Sequence, residues 1–430
     1  MRMSWIGGWI GSLSRSFALV TLILVGLSGS ASANVAKRAD ADAETRPNLV
    51  IVLCDDLGYG DLGCYGNPRI QTPRLDRMAK EGIRLTACHS AAPVCSPSRA
   101  GLLTGRHPNR EGIRDWIPPN SGIFLRAEAP GLAKLLRRAG YRTAHVGKWH
   151  LNSKLDGSEP TPSDHGFEYW MASQNNALPS HMNPENFVRN GKPVGPLEGH
   201  ATTLVIDEAL DWLKRRSDDE PYFLNVWFHA PHEPVATPEE YRGPYRHFDD
   251  EAEPNRSIYY GSVALIDHEV GRLLDAIDAR GDAARTLVVF TSDNGPETLR
   301  RYRGAGNSYG SPGPLKGMKL HIHEAGHRVP ALVRWPERIA PGGVIDEPIG
   351  LIDLFPTMAE LVGVPMPEEV EFDGTSLVPL LDGEPLRRAV PLVFEYDRAI
   401  SRPFTGAVID GPWKLLADAQ AKQVELYRID

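Results

Sequence analysis

The chain of 430 residues is 41% apolar and 24% charged, the composition of a globular protein rather than a disordered one. A net charge of -8 leaves no positive surplus for non-specific nucleic-acid binding, and 4 cysteines in so long a chain exclude a disulfide framework as the source of stability. The length suits one large domain with a smaller companion, and no internal repeat or heptad run is present.

At the N-terminus, Arg2 and Arg15 precede an apolar run from Phe17 to Leu27 and then small residues ending in Ala31-Ser32-Ala33. This is the pattern of a secretory leader (residues 1–33) cleaved after Ala33. A membrane anchor is the alternative, but the run is short for a bilayer span. Residues 34–46 read as a polar tether. The expected product is exported to the periplasm or the exterior, with no stable membrane anchor after cleavage.

From residue 47, short β-branched or aromatic runs alternate with helical patterns. "NLVIVLC", "YRTAHV", "YFLNVWF" and "TLVVFT" show little alternation, as expected for strands covered on both faces. A short helix is expected from Pro97. "PGLAKLLRRAG" opens with Pro130 and closes with Gly140, suiting a helix start and stop; "TTLVIDEALDWLKRR" and "YYGSVALIDHEVGRLLDAIDARG" carry the same periodicity. The alternation implies an α/β fold with a large, mostly parallel sheet sandwiched by helices. Two irregular stretches, 237–257 and 297–314, are long enough to be functional loops. After about residue 386, "VPLVFEYDRA", "FTGAVIDGPWKLLA" and "QVELYRID" read as a small antiparallel sheet. The expected division is therefore a main domain over 47–385 and a C-terminal subdomain over 386–430.

The residues after each strand carry the chemistry. The four strands run into Asp55-Asp56, into Lys148 and His150, into His229 and His232, and into Asp293-Asn294. In open α/β sheets the site lies beyond the carboxyl ends of the strands. Any one of these tails could be loop decoration, but four converging on one rim point to a site. Asp55, Asp56, Asp293 and Asn294 are oxygen donors. Clustered carboxylates repel one another unless a cation neutralises them, and all-oxygen ligation suits Ca2+ or Mg2+. Turn formation is the alternative, since "DDLG" and "SDNG" are good turn sequences; it explains one acid per strand end better than two in succession. Arg99, Lys148, His150, His232 and Lys319 supply the means to hold a tetrahedral anion while its ester bond breaks, although singly each could be a surface charge or a hydrogen-bonded histidine. Cys95, in "AAPVCSPSRAGLLTG", has no zinc-binding Cys/His spacing around it.

Over nearly all of residues 47–427 the chain resembles a type I, formylglycine-dependent, arylsulfatase-like sulfatase of the alkaline-phosphatase superfamily. The resemblance is carried by "PNLVIVLCDDLGYGDLGCYGN", "CSPSRAGLLTGRHP", "GYRTAHVGKWHL", "FHAPHEP", "TSDNGP", "KGMKLHIHEAGHRVPALVRWP", "DLFPTMAEL" and "DGPWKLL". It implies a sulfuric ester hydrolase in which a formylglycine-generating maturation enzyme, reading Pro97 and Arg99, oxidises Cys95 to Cα-formylglycine. The hydrate of that aldehyde would offer one hydroxyl to attack sulfur and a second whose deprotonation expels sulfate. The resemblance further implies that Asp55, Asp56, Asp293 and Asn294 bind Ca2+ together with the modified Cys95. Arg99 would hold the formylglycine, and His150 would assist elimination as a base. Lys148, His232 and Lys319 would bind the sulfate oxygens, with His232 or Lys319 protonating the leaving oxygen. Lys319 is preferred to Lys316 because the family's lysine lies five residues before the glutamate matched by Glu324.

The chain departs from the family pattern in two places. Met318, Leu320 and Ala325 stand where the family carries glycines, and the chain stops at Asp430 where the family commonly continues, so an incomplete C-terminal sheet is expected. Residues 164–194 fall where the family varies its substrate-facing loops. Asn175, Asn176, His181 and Arg189 there are groups that read sugar hydroxyls or a carboxylate, unless they serve the loop's own backbone. An exported enzyme with a polar rim points to sulfated carbohydrate. The alternatives are a phosphodiesterase or phosphonate monoester hydrolase of the same superfamily, and an inactive calcium-dependent glycan-binding protein.

Overall fold

The computed structural model describes residues 46–217, 220–297, 301 and 306–430. The leader, and the tether apart from Arg46, lie outside the described residues. Five parallel strands form the centre of a ten-stranded sheet: Asn48–Cys54 (β1), Arg142–Lys148 (β2), Tyr169–Ser173 (β3), Tyr222–Trp227 (β4) and Thr286–Ser292 (β5). Their spatial order is β5-β1-β4-β2-β3. Beyond β5 lie Leu332–Arg334, antiparallel to it, then Ile83–Leu85 and Gly343–Ile345. Beyond β3 lies the hairpin of Val188–Arg189 and Lys192–Pro193. The sheet is parallel at its centre and mixed toward its edges. β3 arises inside the stretch read from sequence as variable loop; its five residues pair in register with Ala144–Lys148.

The longer helices are Pro73–Glu81 (α1), Cys95–Thr104 (α2), Leu132–Arg138 (α3), Ala201–Arg215 (α4), Arg256–Ala279 (α5) and Leu354–Leu361 (α6). β1 shows why the central strands lack alternation. Leu49, Ile51 and Leu53 pack into one core with Leu102 and Leu103 of α2, Leu136 of α3 and Phe355 of α6. Val50, Val52 and Cys54 pack into the other with Leu75 of α1, Val205 of α4 and Ile266 of α5. Successive side chains of a strand point to opposite faces, so a strand between two helical layers must be apolar throughout. Among the described residues, no helix is long and apolar enough to cross a membrane.

Helix α2 begins at Cys95, two residues earlier than expected. Val94, extended at φ -157 and ψ 151, is the last residue before the helical turn. Arg99 thereby falls four residues after Cys95, on the same helix face.

The C-terminal region is a four-stranded antiparallel meander of Leu392–Glu395 (β6), Gly406–Asp410 (β7), Trp413–Ala417 (β8) and Val424–Arg428 (β9). Its inner face, with Phe394, Ala407, Ile409 and Leu416, packs on Val94, Leu320 and Ile322, which adjoin Cys95 and Lys319. Lys414 of β8 fastens it. Its buried ammonium donates to Glu324 Oε1 at 2.8 Å and to His327 Nε2 at 2.8 Å. Lys414→Met is expected to leave the partly buried Glu324 with Arg328 at 3.2 Å but without Lys414, costing about 1–3 kcal/mol. A lower denaturant midpoint at unchanged slope is the expected reading; an unchanged midpoint would show that the sheet docks by apolar contact alone.

Candidate active site

The carboxyl ends of β1, β2, β4 and β5 deliver Asp55, Asp56, Lys148, His232 and Asp293 to one buried cluster, which Arg99 from α2 and Lys319 from the loop before Glu324 complete. Main-chain bonds hold the strand tips together: Asp55 N–H donates to Ala230 O at 3.2 Å, and Asp293 N–H to Cys54 O at 3.0 Å. Gly147 lets Lys148 turn inward, since a Cβ there would lie 1.8 Å from Trp227 O. Lys148 Nζ then reaches Asp55 Oδ2 at 2.5 Å. From α2, the Arg99 guanidinium donates to Asp293 Oδ2 through Nε (2.9 Å) and Nη2 (2.7 Å), and lies 3.6 Å from Asp55 Oδ2. Its face rests on the Trp227 ring, 5.0 Å from the centroid. Lys319 Nζ is 2.7 Å from Asp56 Oδ1, and Asn294 Nδ2 donates to the same oxygen at 2.7 Å. Cys95, only 2% exposed, opens α2 beside them.

The two histidines are held by main-chain carbonyls, which can only accept. His150 Nε2 donates to Ile117 O at 3.2 Å, leaving a bare, buried Nδ1 without a partner. His232 Nδ1 donates to Glu233 O at 2.5 Å, and its Nε2 lies 3.6 Å from Asp56 Oδ2. Burial, reinforced by Lys319, holds His232 neutral with a pKa of about 3; burial and Lys148 hold His150 well below its ordinary value. Asp56 (φ 66), His150 (φ 57) and Leu320 (φ 67) all adopt left-handed backbone, a strain that concentrates at functional sites. The buried side chain of Leu320 joins the apolar cluster under the C-terminal sheet.

The acids are crowded. Burial pushes Asp293 up to about 7, with Asp55 adding to the rise. Burial pushes Asp56 up to about 6 against the pull of Lys319. Asp55 feels the same burial, but Lys148, His232 and Arg99 outweigh it and hold its carboxyl well below the usual range. Two buried oxygens, Asp55 Oδ1 and Asn294 Oδ1, have no hydrogen-bond partner. Ligand atoms of Asp55, Asp56, Cys95 and His232 all lie within 4.8 Å of one another. Orphaned oxygens among crowded carboxylates fit a hard divalent cation. Asp293 adjoins this group with its Oδ2 committed to Arg99.

A cavity of about 650 Å³ opens onto the cluster, with Cys95, His150, His232 and Lys319 in its lining. Asn175 and Asn176 also line it. His181 and Arg189 do not, which corrects the reading of them as groups facing substrate. His181 is fully buried, its ring 5.9 Å from His200 and 6.1 Å from His229. Arg189 donates to both carboxylate oxygens of Glu208 on α4, each at 2.6 Å, and so pins the hairpin at the sheet edge. Sequence reasoning missed Asp115, Trp116, Tyr396 and Arg398, which also line the cavity; they come from segments about 280 residues apart, and no local motif marks them.

Residues 47–364 match the sulfatase family, and residues 318–429 match the C-terminal region of N-sulphoglucosamine sulphohydrolase. The chain belongs to the sulfatase family. It is 31% identical to steryl-sulfatase of Homo sapiens, over 84% of this chain and 74% of that protein. It is 35% identical to N-acetylgalactosamine-6-sulfatase of Homo sapiens, over 80% and 67% respectively. Among solved structures, Ps i-CgsB in complex with k-i-k-neocarrahexaose is 27% identical with a TM-score of 0.77, covering 89% of this chain and 86% of that one. The phosphonate monoester hydrolase of Agrobacterium radiobacter, 22% identical with a TM-score of 0.64 over 89% of each chain, shares the fold. This sulfatase is accordingly a sulfuric ester hydrolase.

In the cation-free enzyme, raised pKa values at Asp56 and Asp293 make both carboxyls lose stabilisation as pH rises from about 4, their ordinary value, toward 6 and 7. Protons also compete with a cation for these sites. Thermal melts with EDTA and with added Ca2+ or Mg2+ are therefore expected to show a larger cation-induced rise in Tm at pH 8 than at pH 5. An equal rise at both pH values would count against these acids as ligands.

Proposed function

We propose that this sulfatase is an exported enzyme that hydrolyses sulfate esters of carbohydrates, using a Cα-formylglycine made from Cys95 by a maturation enzyme, and a divalent cation, Ca2+ in preference to Mg2+. The observation that carries the reading is the juxtaposition of Cys95 with the cluster of orphaned acid and amide oxygens at the strand ends. As a thiol, Cys95 is poorly suited to attack: burial pushes its pKa well up, against the pull of Lys319 and Lys148, so thiolate is scarce at neutral pH. A formylglycine hydrate would supply hydroxyls in place of the thiol. Asp55, Asp56, Asp293 and Asn294 would hold the cation, which lowers the pKa of an oxygen nucleophile beside it.

The chain's own groups do the rest. Lys148 and Lys319 present fixed positive charge to the sulfate oxygens, in a site that excludes bulk water and strengthens each contact. Arg99, anchored by Asp293, faces residue 95 across one helical turn and orients it. The lone pair of His150 Nδ1 has no competitor and can take a proton during release of sulfate. His232 Nε2, aimed at Asp56, can hand a proton to the leaving alcohol once it has acquired one. Support for carbohydrate as substrate comes from Asn175 and Asn176 in the cavity wall and from the likeness to Ps i-CgsB in complex with k-i-k-neocarrahexaose.

The decisive test is the mass of the Cys95 peptide from protein made in its own host. A loss of about 18 Da relative to cysteine is expected for conversion of thiol to aldehyde; an unmodified thiol in an active preparation would overturn the formylglycine reading. Replacing His150 with Ala is expected to lower kcat by about 10²–10⁴-fold with a small change in KM, if the group transfers a proton. Loss confined to KM would reassign His150 to binding.

A further inference from the structure

At the cavity mouth, two chain segments remote in sequence meet on one carboxylate. Asp115 Oδ1 accepts from the Tyr396 hydroxyl at 3.0 Å and from Trp116 N–H at 2.9 Å. Its Oδ2 lies 2.7 Å from Arg398 Nη1. All four residues line the same cavity as Cys95 and Lys319. Trp116 is 42% exposed, a large aromatic surface turned toward a cavity. Its ring lies 6.4 Å from that of His150, and the carbonyl of the next residue, Ile117, holds His150 Nε2. The Arg398 side chain is 75% exposed and that of Asp115 is 18% exposed.

This arrangement is more than a surface ion pair. Asp115 Oδ2, with a single partner, keeps room for a second hydrogen bond, and Arg398 spends one of its N–H groups on Asp115 and keeps others for a ligand. An acceptor and a donor side by side, next to an exposed indole, match one kind of surface. A pyranose ring lays its C–H face on an aromatic ring and offers neighbouring hydroxyls that can donate to the carboxylate and accept from the guanidinium. A sterol or simple aryl group would cover the indole and leave the polar pair unmatched.

We propose that Trp116, Asp115 and Arg398 form the specificity site for the alcohol portion of the substrate, with Trp116 as platform for a pyranose and the Asp115–Arg398 pair reading two adjacent hydroxyls. The inference rests on the sulfated-carbohydrate reading and narrows it to pyranosides with a free pair of neighbouring hydroxyls near the sulfate. It also gives the C-terminal segment a role in substrate choice, since Tyr396 and Arg398 follow β6.

The test compares kcat/KM for the sulfated monosaccharide turned over fastest with that of its deoxy analogue lacking one hydroxyl of the pair, with 4-nitrophenyl sulfate as a third probe. Loss of a hydrogen-bonding partner in such a site is expected to favour the parent sugar by about 10–100-fold in the unaltered enzyme. In Arg398→Gln the ratio should fall toward one, while Arg398→Lys should keep part of it. A general loosening of the loop would lower both sugars together and leave the ratio intact. Trp116→Ala should raise KM for both sugars about tenfold, and Trp116→Phe should restore most of that. An Arg398→Gln ratio equal to that of the unaltered enzyme overturns the inference and leaves the carbohydrate reading standing. Turnover of 4-nitrophenyl sulfate with none of any sugar sulfate overturns both.

Discussion

Everything in this structure depends on burying six opposed charges at one end of a parallel sheet. Asp55, Asp56 and Asp293 face Arg99, Lys148 and Lys319, and none of the six is more than 3% exposed. Taking such groups out of water costs several kcal/mol each unless partners are placed to fit. The placement comes from the backbone: strand tips joined by main-chain hydrogen bonds, and one helix that starts at Cys95. Parallel topology brings the carboxyl ends of β1, β2, β4 and β5 to the same side, so one rim receives Asp55, Asp56, Lys148 and Asp293, while Lys319 reaches them from the loop before Glu324. The two apolar cores on either face keep the strands from moving apart and thereby hold the charges in register.

Without a bound ion the cluster is balanced, three acids against three bases. It nevertheless leaves two oxygens without partners and pushes two carboxyls toward neutral pH. With the proposed divalent cation in place the balance becomes positive. An acidic protein would then carry an inward-facing positive centre, and an anionic ester would be drawn to it. Strain at Asp56, His150 and Leu320 fits this picture, because the backbone is bent to aim these residues and the surrounding packing compensates. Leu320 shows the trade most directly: it adopts a conformation that favours glycine, and its side chain fills the cluster that seats the C-terminal sheet.

Much of this was legible in the sequence. The short runs of Val, Ile, Leu and Phe in β1, β4 and β5 read as strands between two covered faces, and the polar residues that follow them could be read as a rim. What escaped was whatever depended on pairing with something distant. Tyr169–Ser173 is too short, and too mixed in composition, to announce itself as a strand; it is one because β2 lies beside it. Arg189 and His181 have the right chemistry for a sugar site, but residue type does not say whether a Glu208 or a shell of other histidines is waiting. Asp115 and Arg398 carry no local motif that marks them as partners.

The sequence by itself determined the class of fold and the order of the long apolar strands and helices, because strand burial leaves a continuous apolar run, and it named the candidate groups of the site, because each lies in a short local motif. Tertiary structure decided which candidates meet. It put Arg189 on Glu208 and away from the cavity, made Lys414 a fastener, and joined loop 113–117 to the C-terminal segment at the mouth. Those outcomes turn on distances between residues far apart in the chain. A hydrogen bond or ion pair exists only within about 3–4 Å, and no periodicity or motif encodes that separation across hundreds of residues.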